Sequence, residues 1–564
     1  MGRLGLSLLF SLGILSARAD PLPPALIVEE APPPHPARRV PLGWRSCPEG
    51  ECADSDAGAI RAQLRRKDGV LTIALEWTRL EWVHRVALEL PLRPGETRVV
   101  GRDLRVHATK RALLGRFDPK WLQVGGDSVI VDDDLDEVAV DPSGRITLEL
   151  DAAAARPFVH DARCAKQWRD PNRHVAVPLR LHVPGDRLTA RVQIVERPVL
   201  PLVKSAWPDG RRSALVFTDH ADQTTLRTLT VLAHHFAAHH VVFTKALFAR
   251  GTDRPQLEDP RMVALADEML AAGDEICPHS ATPKPDDRTV TEAALDQFER
   301  WHARTWIDHQ PETNCEAFGD EGYQAGGRFG IADLLASHHY EYVWAEDDAP
   351  PGELNLLDPA HLDKRAPTVW PLGRVSLGGP SSLWMFRTMW AFLEAKRFYA
   401  LYGADKLDRL ERERGLSIAH TYLDTYHPRR TIFGLRNVIV PAEKNGVPGG
   451  PGEVALDPRM DALLGELEAR QKRGGLWVPT LAALADRMRL VASMTITIGE
   501  DGDYLVRAPA PVEGATFVVP RTGLTVLVDG KPPLGIEDDE QETRFVADLP
   551  AGETVIRVRQ IATP

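Results

Sequence analysis

Between about residues 210 and 490, short apolar runs alternate with amphipathic stretches, and this alternation limits what the chain can fold into more than any other feature. SALVFTD, HVVFTKAL, DEICPHS, RTWIDHQ, YEYVWAED and LSIAHTY read as strands. TTLRTLTVLAHHF, PRMVALADEMLAAG, TEAALDQFERWHA, GIADLLASHH, KLDRLERERG and DPRMDALLGELEARQKRGG have helical spacing. Parallel neighbours need a crossover that carries the chain back to the start of the sheet, and a helix supplies it. Repeated strand–helix units therefore predict an α/β region built on a parallel sheet or a barrel.

The flanks have a different texture. From about 61 to 203 the runs VLTIALEW, WVHRVALELPL, ITLEL, VPLRLHV and TARVQIV are short, β-rich and broken by Gly, Pro and Asp, which predicts a sandwich-like β domain. MTITIG, YLVRA, LTVLVDG, TRFVADL and TVIRVRQ predict a small β domain over 492–564, leaving 204–491 for the α/β region. Residues 20–60 are Pro-rich (PLPPAL, APPPHP) and read as an extended linker.

The first 19 residues have the layout of a secretory signal: Arg3, an apolar core from Leu4 to Leu15 too short to span a bilayer, and small residues at Ala17 and Ala19. The expectation is an exported protein, periplasmic or extracellular, with no stable membrane span. Export permits disulfides, and five cysteines leave at least one thiol unpaired within the chain. Cys47 and Cys52 flank a PEGE turn and suit a local bridge; Cys277 and Cys315 read first as inert buried thiols, with a bridge between them as the alternative. A net charge of -12 and no basic stripe argue against a nucleic-acid partner.

Several strands of the α/β region end in ionisable residues: Asp219 and His220, His279 and Ser280, Asp308 and His309, Glu346 and Asp347, and His420. In a parallel barrel these ends converge on one face, where sites are built. Carboxylates and imidazoles meeting there are ligands for a divalent metal such as zinc, and Asp219 and His279 are the first pair expected on it.

The order of these motifs resembles the polysaccharide deacetylase family, carbohydrate esterase family 4, over about half of the chain. VFTDH is similar to the family's Thr-Phe-Asp-Asp-Gly, and GDEICPHSATP to its Gly-His-Glu-Ile followed by His-Ser/Thr-x-x-His. HVVFTKALF resembles the "ATFF" strand, GLSIAHTY the late strand ending in Leu-His, and GLWVPTLAAL the closing strand and helix. The resemblance implies a distorted (β/α) barrel of about seven strands. It also implies metal-dependent removal of acetyl groups from an amino-sugar polysaccharide such as peptidoglycan, a chitin-like polymer or an exopolysaccharide.

The motifs also depart from that family. The base position falls on Thr218 and the metal-ligand position on Asp219; the second motif keeps His279 but has Pro283 at its second His. For the third motif, NCEAFG puts Cys315 in place of the family's Arg, and WIDHQ is the other counterpart. His420 matches the general-acid His. Two readings follow. In the first the site is rebuilt: Asp219 and His279 bind metal, the third ligand comes from His309, His220 or Asp222, Asp222 or Asp308 is the base, and His420 protonates the leaving nitrogen. In the second the fold has lost catalysis and binds carbohydrate or supports envelope assembly. Asp222 also precedes a helix, where a capping role is open to it.

Other candidates compete with simpler explanations. His234, His235, His239 and His240 suit either a metal or a solvated helix end, and Asp132 to Asp134 suit an exposed turn or a calcium site. Trp384, Phe386, Trp390, Phe392 and Tyr399 suit core packing or a sugar platform.

Overall fold

The computed structural model describes residues 24–30, 37–48, 50–92, 95–115, 118–131, 135, 137–141, 145–152, 180–182, 184–252, 256–310, 314–322, 326–344, 348–349, 354–357, 372–376, 382–391, 395–426, 438–444 and 453–560. The signal-like residues, the acidic run 132–134, Glu346, Asp347 and Phe392 lie outside them.

Two antiparallel sheets of seven and nine strands form the N-terminal region. Val70–Trp77 shows why: its residues alternate between half-buried and buried, so one face enters an apolar cluster that includes Leu71, Ile73, Leu75 and Trp77. Leu26 and Val28 belong to the same cluster, which corrects the expectation of a linker over residues 20–60. Ala25–Glu30, Arg38–Pro41, Arg45–Cys47 and Gly50–Ala57 are strands of these sheets. Of the described prolines here, Pro24 precedes a strand, Pro41 ends one and Pro48 lies in a turn, where no ladder N–H is needed. The Cys47–Cys52 disulfide joins two adjacent strands.

The α/β region follows, with its elements numbered here from its first strand: β1 Ser213–Asp219, α1 Leu226–Ala238, β2 Thr244–Leu247, α2 Pro260–Ala272, β3 Glu275–Pro278, α3 Arg288–Phe298, β4 Thr305–Ile307, α4 Ala332–Ser337, β5 Tyr342–Trp344, β6 Ser382–Phe386, β7 Thr388–Trp390, α5 Ala395–Leu401, α6 Ala404–Arg412, β8 Leu416–Thr421, α7 Pro458–Lys472 and α8 Leu481–Ala492. Local chemistry sets the boundaries. Thr225 caps α1, Asp259 caps α2 ahead of Pro260, and Gly273 ends α2 at φ 102°, a left-handed turn that a Cβ would strain.

One parallel sheet runs β3–β2–β1–β8–β7, and a second contains β4–β5–β6 in parallel. A single parallel bridge, His279 to Ile307, joins them between β3 and β4, and only Arg387 separates β6 from β7. The expected α/β class is observed. The expected distorted barrel is not found closed: among the described residues only that bridge joins β3 to β4, and no ladder joins β6 to β7. Both sheets wrap one apolar cluster that holds Ala214, Val216, Ala246, Cys277, Ile307, Trp344, Phe386 and Ile418. Their other faces join a larger cluster in which Leu215, Phe217, Phe243, Leu247 and Trp306 meet helix residues Leu229, Leu232 and Phe236. Alternation along each strand thus assigns every residue to an inner or a helix-facing side. Each fully buried Phe here contributes roughly 1.5–3 kcal/mol of transfer free energy.

Seven strands after residue 494 form two four-stranded sheets, one of which takes in Val203–Ser205 from ahead of β1. Gln193 ties the N-terminal sheet to Ile498 by two hydrogen bonds of 2.7 Å each. Among the described residues no helix is long and apolar enough to cross a membrane.

Candidate metal centre

Strand alternation decides which of the ionisable strand ends meet. His279 shares parity with Cys277, His309 with Ile307, and His420 with Ile418, all on the inner side. Asp219 shares parity with Phe217, and Asp308 with Trp306, on the helix-facing side. The histidines therefore converge and the two aspartates turn away.

The group that forms is Asp222, His279 and His309, with one potential ligand atom from each lying within 4.8 Å of the others. Asp222 Oδ2 is 3.0 Å from His279 Nε2, and its Oδ1 is 3.2 Å from His309 Nε2. Asp222 reaches in from the loop after β1; Thr225, not Asp222, caps α1. Immediately after each histidine the chain turns through a left-handed residue, Ser280 at φ 50° and Gln310 at φ 43°. Non-glycine residues in this region store local strain, which concentrates at functional sites. Ser280 Oγ accepts the His309 N–H at 2.9 Å, linking the two turns. Phe248 lies against both imidazoles, with ring centroids 4.9 Å from His279 and 5.0 Å from His309.

The protonation states of this group suit a cation. Burial pushes His279 down to about 4, although Asp222 opposes the shift. Burial works against the Asp222 carboxylate, but hydrogen bonding to His279 and His309 outweighs it and holds the group below the usual carboxylate range. At neutral pH the pair is a carboxylate and a neutral imidazole. His279 Nδ1 is 3.3 Å from the Ile307 carbonyl, so with an ion on Nε2 its proton would sit on Nδ1 and be donated to that oxygen. One carboxylate with two imidazoles is a donor set for zinc.

Asp219, expected beside His279, lies outside this group. Strand register sets it directly opposite Lys245, whose Nζ donates to it at 2.6 Å. Thr421 Oγ1 at 3.2 Å and the Leu423 N–H also donate to it. Lys245 Nζ is 3.2 Å from Asp424 as well, and all three side chains are fully buried. Burial opposes the ammonium, but the two carboxylates overcome that and raise its pKa. One cation for two anions leaves a negative charge over, and burial lifts Asp219 to about 7. Asp308, expected as a base, accepts from Trp306 Nε1 at 2.6 Å and from the Phe318 N–H at 2.7 Å, so both of its oxygens are engaged.

His420 sits one ring away from the Asp222 group. His220 lies between them, 4.7 Å from His279 and stacked at 4.1 Å on His420. His420 Nε2 is 3.2 Å from Tyr422 Oη, and Trp344 packs on its ring at 4.7 Å. Burial first, and the neighbouring imidazoles after it, drive His220 well below its ordinary pKa and leave it neutral. The sequence reading did not single out Lys245, Asp424, Tyr422 or Phe248. A lysine inside the apolar run HVVFTKAL was the available signal, since a buried ammonium requires a carboxylate partner.

The remaining candidates resolve into structural roles. His235 Nδ1 and His239 Nε2 both contact Asp461 Oδ1, at 2.8 and 3.0 Å, and so join α1 to α7. Trp384 and Phe386 are buried in the core. Cys277 is a free buried thiol while Cys315 is disulfide-bonded, so those two are not bridged to each other.

No family model matches the chain, and no curated protein matches it. Similar solved structures include Puue allantoinase, at 12% identity and TM-score 0.28, covering 52% of this chain and 93% of that one. A probable polysaccharide deacetylase from Pseudomonas aeruginosa PAO1 gives 13% identity and TM-score 0.27, covering 52% of this chain and 94% of that one. A glycoside hydrolase family 97 enzyme from Pseudoalteromonas sp. strain K8 gives 10% identity and TM-score 0.33, covering 96% of this chain and 95% of that one. Scores this low carry no functional argument, so the reading below rests on side chains.

Proposed function

We propose that the chain is a metal-dependent hydrolase that removes acetyl groups from an amino-sugar polysaccharide, with Asp222, His279 and His309 holding a divalent ion such as zinc. The observation that carries this reading is the contact of one ionised carboxylate with two imidazoles at the strand ends. A divalent ion held there supplies Lewis-acid chemistry, polarising a carbonyl and activating water near neutral pH. The Ile307 carbonyl is placed to accept the His279 Nδ1 proton, and Ser280 accepts the His309 N–H and holds that turn in place. His420, beside Tyr422 and Trp344, is positioned to give a proton to a leaving nitrogen.

This reading moves the carboxylate ligand from Asp219 to Asp222 and removes both proposed bases. Asp222 becomes a ligand, and Asp308 is an anchor whose oxygens are already engaged. The choice of a glycan, rather than another acylated molecule, is supported by the motif order from VFTDH to GLSIAHTY. Export to the periplasm or beyond is supported by the layout of residues 1–19.

Metal content and acetate release, measured together on purified protein, test the proposal. Stoichiometric zinc and acetate from acetylated chitooligosaccharide or peptidoglycan are expected. Zinc-free protein that binds such glycans without releasing acetate would instead establish the non-catalytic role.

A further inference from the structure

His220 follows β1 directly, and its N–H donates to the Thr421 carbonyl at 2.9 Å, fixing the end of β1 against the end of β8. It shares parity with Val216, which turns the ring to the inner side. There the ring is 1% exposed, enclosed by His279, His420, Trp344 and Tyr422. Neither Nδ1 nor Nε2 has a hydrogen-bond partner among the described residues. A neutral imidazole has one N–H to donate and one lone pair to offer, and burying both unmatched is costly. Packing alone does not account for a polar ring here, because an apolar ring would fill the same space without that cost.

The position supplies the reason. His220 lies between His279, a ligand in the reading above, and His420, the proposed proton donor. We infer that His220 is a substrate-binding residue of this site, whose ring N–H donates a hydrogen bond to the acyl carbonyl oxygen of the bound substrate. The inference rests on the metal-dependent deacetylase reading. It gives the ring a partner that is present only when substrate is bound, an arrangement that favours the reacting complex over the resting protein. No bond to carbon is formed by His220; the proton stays on its nitrogen throughout.

The test uses the full-length protein and the variants His220→Phe, His220→Leu and His220→Asn. Melting is measured with zinc bound and after chelation, zinc content by elemental analysis, and turnover by acetate release from acetylated chitooligosaccharide. The more stable of the Phe and Leu variants should melt about 1–4 °C above the natural protein in both states, because an unmatched buried polar group is gone. It should keep its zinc and lose about 10²–10³-fold in kcat. His220→Asn, which retains a donor, should recover about tenfold of that loss. Both apolar variants melting lower, loss of zinc, or turnover within threefold of the natural protein would each overturn the inference. Natural protein with neither zinc nor acetate release would overturn the functional reading itself, and the assignment of His220 with it.

Discussion

Lys245→Met removes the one cation from a fully buried group of three charges. Lys245 Nζ lies 2.6 Å from Asp219 and 3.2 Å from Asp424. At an effective dielectric of about 20, Coulomb's law gives about 6 and about 5 kcal/mol for the two attractions. Desolvation of the ammonium and carboxylates offsets most of this, so removing one partner of such a group costs about 3–5 kcal/mol. The loss must depend on pH. Without the ammonium, the Asp219 carboxyl, already raised by burial, keeps a folded-state pKa above about 3.9, the unfolded value. A raised carboxylate contributes stability that is lost as pH rises through its folded pKa, so the deficit should be larger at pH 8 than at pH 5. The chain holds several sheets and need not unfold in one step, so the assay is native-state hydrogen exchange in peptides covering β1 and β2. A loss below about 1 kcal/mol, or one equal at both pH values, would refute the buried-charge argument.

Three further outcomes are expected. Asp308→Ala orphans the Trp306 Nε1–H and the Phe318 N–H and should cost about 2–4 kcal/mol by urea denaturation, while zinc content is unchanged. His279, held near 4 by burial, is a histidine whose folded pKa is depressed, so the unfolded state binds the extra proton. Metal-free protein should therefore lose about 3 kcal/mol as pH falls from about 6.5 to 4, and His279→Gln should flatten that slope in thermal melts. His420→Ala should lower kcat about 10²–10⁴-fold in acetate-release assays with zinc retained.

The α/β class was legible because segments such as SALVFTD and PRMVALADEMLAAG carry different periods, and the Asp259 cap and Gly273 stop stand in the sequence. The strands within residues 20–60 were not, because ALIVEE and RRVP are short and their neighbouring prolines read as linker. At the site, His279 and His309 were legible as strand-end histidines, but Asp219 and Asp308 were promoted for the same reason and belong elsewhere. Alternation separates them: counting in twos from Cys277, Ile307 and Ile418 reaches histidines, whereas counting from Phe217 and Trp306 reaches aspartates. That count shows which side a residue faces only once the buried clusters are known. Asp222 follows no strand register at all, since it comes in on a loop, and only the tertiary fold brings it to His279 and His309.

Asp222 rather than Asp219 is the carboxylate of the proposed metal group. Zinc affinity after chelation, measured by titration calorimetry on the natural protein, Asp222→Asn and Asp219→Asn, addresses this directly. One zinc per chain is expected for the natural protein and for Asp219→Asn, with affinity at least about 10²-fold weaker in Asp222→Asn, as expected when a ligand is removed from a small donor set. Zinc retained by Asp222→Asn and lost by Asp219→Asn, or none bound by the natural protein, would contradict it.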